Sequence, residues 1–250
     1  MEKTIQARFF GLSGNALKAI AILTMTIDHL AWALWPGYDT RWWVLCLHAV
    51  GRITAPIMWY MIAEGYHYTR DRKKYALRLL GFAFVSHFAY NFNAGIPLIP
   101  FSTGEIFNQT SVMWALFLGL LALTLFDVPQ EKLSNPLKYL LFIGICVLAF
   151  PADWSCIAVL AVCCIASYRG DFAKQMVAMM LCVACYAVVY CIFLDVAYGL
   201  LQLCVVLSIP FLAMYNGKRG KARWMKWFFY IYYPLHLTLI GLLRMWLNRA

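Results

Sequence analysis

The sequence predicts an all-α protein: a polytopic integral membrane helix bundle of about nine transmembrane helices, within a range of eight to ten. Three observations predict it. Of the 250 residues, 64% are apolar and 13% charged, against about a quarter charged in a soluble domain. Apolar runs near the ~20 residues that a bilayer core requires recur from one end of the chain to the other. Lysine and arginine gather in alternate connecting loops, as they do in cytoplasmic loops. The mean hydropathy of +0.70 agrees.

The runs lie at 16–35, 42–63, 76–92, 110–127, 137–151, 154–168, 175–194, 196–215 and 227–247. The first is too long for a cleavable secretory signal, carries Asp28 and His29, and lacks a small-residue cleavage site. It is expected to stay as a helix that doubles as the insertion signal. The second should bend at Pro56, and the third follows the basic loop YTRDRKK. Runs five and six are short. Runs seven and eight are split mainly by Asp195, and the last follows NGKRGKARWMK. No soluble domain, repeat or low-complexity segment interrupts them. Residues 1–250 are therefore expected to form a single transmembrane domain.

With the N-terminus in the cytoplasm, 17 of the 21 Lys and Arg residues fall on that side, from Lys3, Arg8 and Lys18 to Lys226. Arg41, Arg52, Arg244 and Arg249 are left for the spans and the outer side. The expectation is a multi-pass protein of the cytoplasmic (inner) membrane. Its net charge of +10 is then a cytoplasmic charge. Topology and anionic lipid explain it, at ~1 kcal/mol per basic residue, or a soluble polyanionic cosubstrate does. Nucleic acid is not expected as a partner, because no basic face exists outside short loops. The nine cysteines fall in or beside apolar runs, and Cys182-x-x-Cys185 reads as packing within a helix. No spacing of His, Cys and Asp resembles a metal site.

Polar residues inside the runs need a partner or a task, since an ionisable group in hydrocarbon costs at least ~2.5–3.5 kcal/mol. Asn15, Lys18, Ile22, Met25 and His29 share one face of the first helix, a stripe that climbs roughly 20 Å. Asp28 is rotated by about 100° from His29 and must face another neighbour. His48 and Arg52 share a face of the second helix, and Arg52 is near the level of the Asp28-His29 pair. The last helix adds Tyr232, Tyr233 and His236. One account makes these groups structural glue, with Asp28 paired to Arg52; this is the expectation for His48, His67 and His87. For His29 the expectation is a base, since a neutral imidazole accepts a proton near pH 7.

The stretches SGNALKAIAILTMTIDHLAW, HAVGRITAPIMWYMIAEGYHYTRDRKKYALRLL, MYNGKRG and KWFFYIYYPLHL, in that order, resemble the TraX family, whose members are associated with N-terminal acetylation of conjugative pilin. The resemblance spans most of the chain and is weak from about 110 to 210. TraX is distantly similar to the acyltransferase-3 proteins. This implies a transmembrane acyltransferase domain that passes an acetyl group from cytoplasmic acetyl-CoA through a polar site in the membrane. On this resemblance Asp28-His29 match the DH pair and Arg52 the GR-x-x-x-P element. Glu64-Gly65 match EGY, and Tyr215, Asn216, Gly217, Arg219 and Gly220 match YNG-x-RG. Tyr230, Tyr233, Pro234 and His236 match FFY-x-x-YPLH. The sequence departs at ITAP, where an aromatic more usually precedes the proline.

The expected function is acyl transfer from acetyl-CoA, a cosubstrate, to an amine such as a peptide or protein N-terminus. The phosphates would be held by Arg70, Lys73, Lys74, Arg78 and Arg219, with Asn15, Lys18, Glu64, Tyr215 and Asn216 completing the donor site. His29 would act as general base, and Asp28 would support it or pair with Arg52. Arg52, Tyr233 or His236 would stabilise the oxyanion, where one donor is worth ~3 kcal/mol. Peptides, proteins and small molecules all stay open as acceptors, and membrane lipids surround the chain. An O-acyltransferase of a glycan or lipid, a proton-coupled transporter and a non-catalytic pilus-assembly scaffold are the alternatives. Cysteine-accessibility mapping is expected to place Arg72 and Lys221 in the cytoplasm and residues 93–107 outside. Lys221 on the outer side would overturn both the orientation and the helix count.

Overall fold

A computed structural model of the protein describes residues 11–102 and 104–247. Lys3, Arg8 and Arg249, part of the charge partition, lie outside the described residues. Nine helical rods follow one another among the described residues: α1 (Gly14–Leu34), α2 (Trp42–Tyr68), α3 (Arg72–Ala94), α4 (Val112–Phe126), α5 (Asn135–Ala149), α6 (Ser155–Ser167), α7 (Phe172–Phe193), α8 (Val196–Ala213) and α9 (Met225–Leu247). The same residues hold no strand, only the isolated bridges Leu12–Tyr215 and Thr110–Ala152. Four rods, α1, α2, α7 and α8, are long and apolar enough to cross a membrane, while α4, α5 and α6 are apolar but shorter. The rods α3 and α9 have 23 residues each and carry basic side chains near their ends. The expected nine is therefore met as a number of helices, and length and composition make four of them membrane spans.

The core sits around the second half of α2. Nine of the 15 residues in Thr54–Tyr68 are buried, as suits a helix in the centre of a bundle. It packs against α1, α4, α6 and the middle of α8, while α9 bridges α1 and α3, and α5 lies against α4 and α6. Outward faces keep large apolar side chains, such as Leu140, Ile143 and Val147 on α5 and Leu181, Val188 and Ile192 on α7. A perimeter of that size and chemistry suits lipid rather than water.

The breaks have local causes. Within α2 the regular helix stops at Gly51 and resumes at Thr54. Pro56 has no N–H for the carbonyl of Arg52, and its ring would collide with it, so the break falls on Arg52-Ile53. The middle of α8, Leu203–Ser208, tightens to a 3₁₀ helix before Pro210. The N-termini of α3 and α7 share one device: Asp71 caps the Lys74 N–H at 2.9 Å, and Asp171 caps the Lys174 N–H at 3.1 Å. These bonds and the lysine ammonium groups hold both carboxyls below the usual carboxylate range. Cys182 approaches Cys164, at 4.0 Å.

Two long-range ties set the rest. Leu12 N–H donates to the Met214 carbonyl, Asn216 N–H to Leu12, Gly14 N–H to Lys218 and Asn15 N–H to Arg219, at 2.8–3.0 Å. The YNGKRG loop thus wraps the start of α1, where Ser13 caps the Ala16 N–H. The backbone turns at Gly220 with a φ of +95°, hard against Asn15 and Ser13, which leaves no room for a side chain. Higher in the bundle, α1 meets α2 where the Asp28 carboxyl lies on Gly51, and a methyl group there would overlap it. Gly51→Ala is expected to cost about 1–3 kcal/mol through overpacking, read as a lower Tm and yield of the detergent-solubilised protein. Gly81→Ala, on an open face of α3 with nothing within 4 Å, should leave both unchanged or raise them.

Candidate functional site

Two cavities enter the bundle, and Met58, in the middle of α2, lines both. The first, about 480 Å³, lies at the basic end of the bundle, where α1, α3 and α9 begin and α2 ends. Its charged lining comes from Lys18, Arg78, Arg219 and Lys226, with Glu64 as the carboxylate. Glu64 is engaged by Arg169, 3.3 Å away. Four cations around one engaged carboxylate make a setting for a polyanion.

The sequence-predicted residues divide here. Lys18, Glu64, Arg78, Tyr215 and Arg219 come together at this cavity. Arg70, Lys73 and Lys74 do not line it, and Lys74 pairs with Asp71 at 3.1 Å. Asn15 and Asn216 hold the loop instead. Asn15 donates to the Ala222 carbonyl at 2.9 Å, while Asn216 donates to the Gly11 carbonyl and accepts from the Lys218 N–H. Sequence reasoning passed over Lys226 as a ligand. Its place just inside the last helix, at the end of the basic run, was the available signal.

The second cavity, about 690 Å³, lies toward the far end, and Asp28, His29, Arg52, Tyr233, Asp153 and Tyr190 are among the residues that line it. The two oxygens of Asp28 are divided between partners on α2: Oδ1 is 2.7 Å from His48 Nδ1, and Oδ2 accepts from the Arg52 guanidinium at 2.9 Å. Arg52 also donates to Gln202 on α8, at 3.2 Å, and lies over the Trp154 ring. His48 is fully buried. Asp28 therefore pairs with Arg52 and not with its neighbour in sequence.

His29 turns to α9, as the rotation between adjacent residues requires. Its Nδ1 is 2.7 Å from His236 Nε2. His236 lines neither cavity, so it stands behind His29, whereas Tyr233 faces the cavity directly. Asp153, in the turn between α5 and α6, was missed by the sequence reading. Burial pushes its carboxyl up to about 6, against the pull of Arg52. A charged residue between two short apolar runs was the signal that could have found it. The remaining histidines are structural or peripheral: His87 bonds to Thr110 and the Leu98 carbonyl, and His67 is exposed beside Tyr68. No three His, Cys, Asp or Glu side chains among the described residues are grouped to hold a metal ion.

The sequence model of the TraX protein family matches residues 13–244, which takes in both cavities and every loop that frames them. The chain is also 29% identical, over 248 residues, to a protein of Dichelobacter nodosus described as a probable fimbrial assembly protein FimC, serogroup H1. That alignment covers 97% of this chain and all of the relative. No solved structure matches. With nearly its whole length matched, the chain belongs to the TraX family.

Proposed function

We propose that the protein is an integral membrane acyltransferase. It would move an acetyl or short acyl group from acetyl-CoA, bound at the basic end, to an amine that reaches His29 through the second cavity. One observation carries this reading: Met58 is the shared wall between a cavity suited to a polyanion and a cavity that holds an imidazole. The basic end would face the cytoplasm, where the donor is, and the bundle would sit in the inner membrane.

The phosphates of the donor would meet Lys18, Arg78, Arg219 and Lys226. Lys18 and His29 are about 16 Å apart along α1, at 1.5 Å per residue, a span that the pantetheine arm covers. Met58 is an unbranched side chain that can turn aside to let the thioester pass. The acceptor nitrogen would attack the carbonyl carbon as His29 removes its proton. Tyr233 and Arg52, on the same cavity, are the groups available to the oxyanion. The thiolate departs and takes up the proton, which closes the balance. Asp153 favours an amine over a hydroxyl acceptor, because a carboxylate attracts an ammonium group, which would give its extra proton to water before the neutral amine attacks.

The description of the Dichelobacter relative favours a second reading, a part in assembling fimbriae. The two readings meet if the acceptor is a fimbrial subunit, and they part if the chain is a scaffold without catalysis. Purified protein and acetyl-CoA labelled in the acetyl group separate them. Acetyl-CoA at about 100 times its Kd should stabilise the protein by ~2.7 kcal/mol, and acetate should not. Replacing Arg78 and Arg219 together by Gln should remove the shift. His29→Ala should keep it while transfer falls at least ~100-fold. A scaffold shows neither shift nor transfer, and a well-folded His29→Ala protein that transfers at the parent rate would end the case for His29.

A further inference from the structure

The hydrogen bonds around His29 determine which of its nitrogens is free to act. His236 Nδ1 lies 2.9 Å from the carbonyl oxygen of Tyr232, one turn earlier on α9. A carbonyl only accepts, so His236 Nδ1 carries a hydrogen, and a neutral His236 then has its lone pair on Nε2. That lone pair faces His29 Nδ1 at 2.7 Å, so His29 Nδ1 must donate. The lone pair of His29 is left on Nε2, the nitrogen that makes none of these bonds, on a residue that lines the second cavity.

The surroundings keep this arrangement in register. The Tyr232 ring stacks on His236, with centroids 5.0 Å apart and planes 8° from parallel, and Tyr233 meets it edge-on. The Tyr232 hydroxyl is 2.8 Å from Thr26 Oγ1, whose own hydrogen goes to the Ile22 carbonyl at 2.7 Å. Tyr232 therefore donates to Thr26, and α1 and α9 are tied about one turn below the histidine pair. Asp28, the neighbour that might be expected to orient His29, has both oxygens occupied by His48 and Arg52.

We propose that His236 is a positioning residue that holds His29 in the Nδ1–H tautomer, with Nε2 as the basic atom, and that it shares the proton His29 takes up. The proposal rests on the acyl-transfer reading for its kinetic part only. As the new C–N bond forms, the amine N–H bond breaks and its proton goes to His29 Nε2. The Nδ1 proton of His29 then shifts to His236 Nε2, whose Nδ1–H stays on the Tyr232 carbonyl. The reverse shift returns the proton to the departing thiolate. The pair thus spreads one positive charge over two rings.

Nitrogen-15 NMR of the full-length protein in lipid, labelled at histidine and assigned against His29→Gln, reads the tautomer without any turnover. In the parent, His29 should be protonated at Nδ1 and bare at Nε2. His236→Gln offers a side-chain oxygen that can accept from the same Nδ1, and should preserve that state. His236→Ala should release His29 to the Nε2–H form, and should lower kcat at least about tenfold with the KM for acetyl-CoA unchanged. A parent His29 that carries its hydrogen on Nε2 overturns the proposal by itself, whichever variants fold. So does a tautomer indifferent to His236→Ala. Absence of acetyl transfer in the parent would instead remove the proposed function and leave the tautomer assignment standing.

Discussion

The architecture turns on one buried ion cluster, Asp28 of α1 held between Arg52 and His48 of α2. In an apolar bundle a lone carboxylate or guanidinium costs several kcal/mol, and removing one partner strands the other, at ~3–5 kcal/mol. The cluster therefore locks the first two helices in one register. Gln202 extends it to α8, and the Trp154 ring to the turn before α6. The bare backbone of Gly51 lets the carboxylate come close enough. Because both oxygens of Asp28 are engaged, His29 is free of its sequence neighbour and answers to α9.

Much of the fold was legible before any coordinate. Apolar runs near ~20 residues locate the rods, and the break in α2 falls next to the Arg52 carbonyl that Pro56 obstructs. The stripe on α1 was legible because a helix puts residues three and four apart on one face. Partners across helices were less so. The sequence reading paired Asp28 with Arg52, as the structure does, but gave no sign that His48 takes its other oxygen. Gln202 carried no signal, as a neutral amide in an apolar run.

The site was legible where charge does the work and obscure where amides do. Lys18, Arg78 and Arg219 gather at one cavity, while Asn15 and Asn216 turn their amides to backbone groups of the loop. Short polar side chains serve turns and caps as readily as ligands, so residue type alone could not separate the two uses. The exposed basic residues Arg70, Lys73 and Lys74 lie off the cavity wall.

The loop that wraps the start of α1 joins that helix to a segment some 200 residues later. At synthesis rates of ~5–20 residues per second, the ribosome needs about 10–40 s to make that stretch. Throughout the interval the nascent chain can dock α1 on α2 and bury Asp28. It still lacks Arg219 and Lys226, half of the cations that line the basic cavity. The basic cavity is thus incomplete until the loop and the start of α9 have been made. A product cut short at any earlier helix would be inserted and partly packed, yet without the completed pocket.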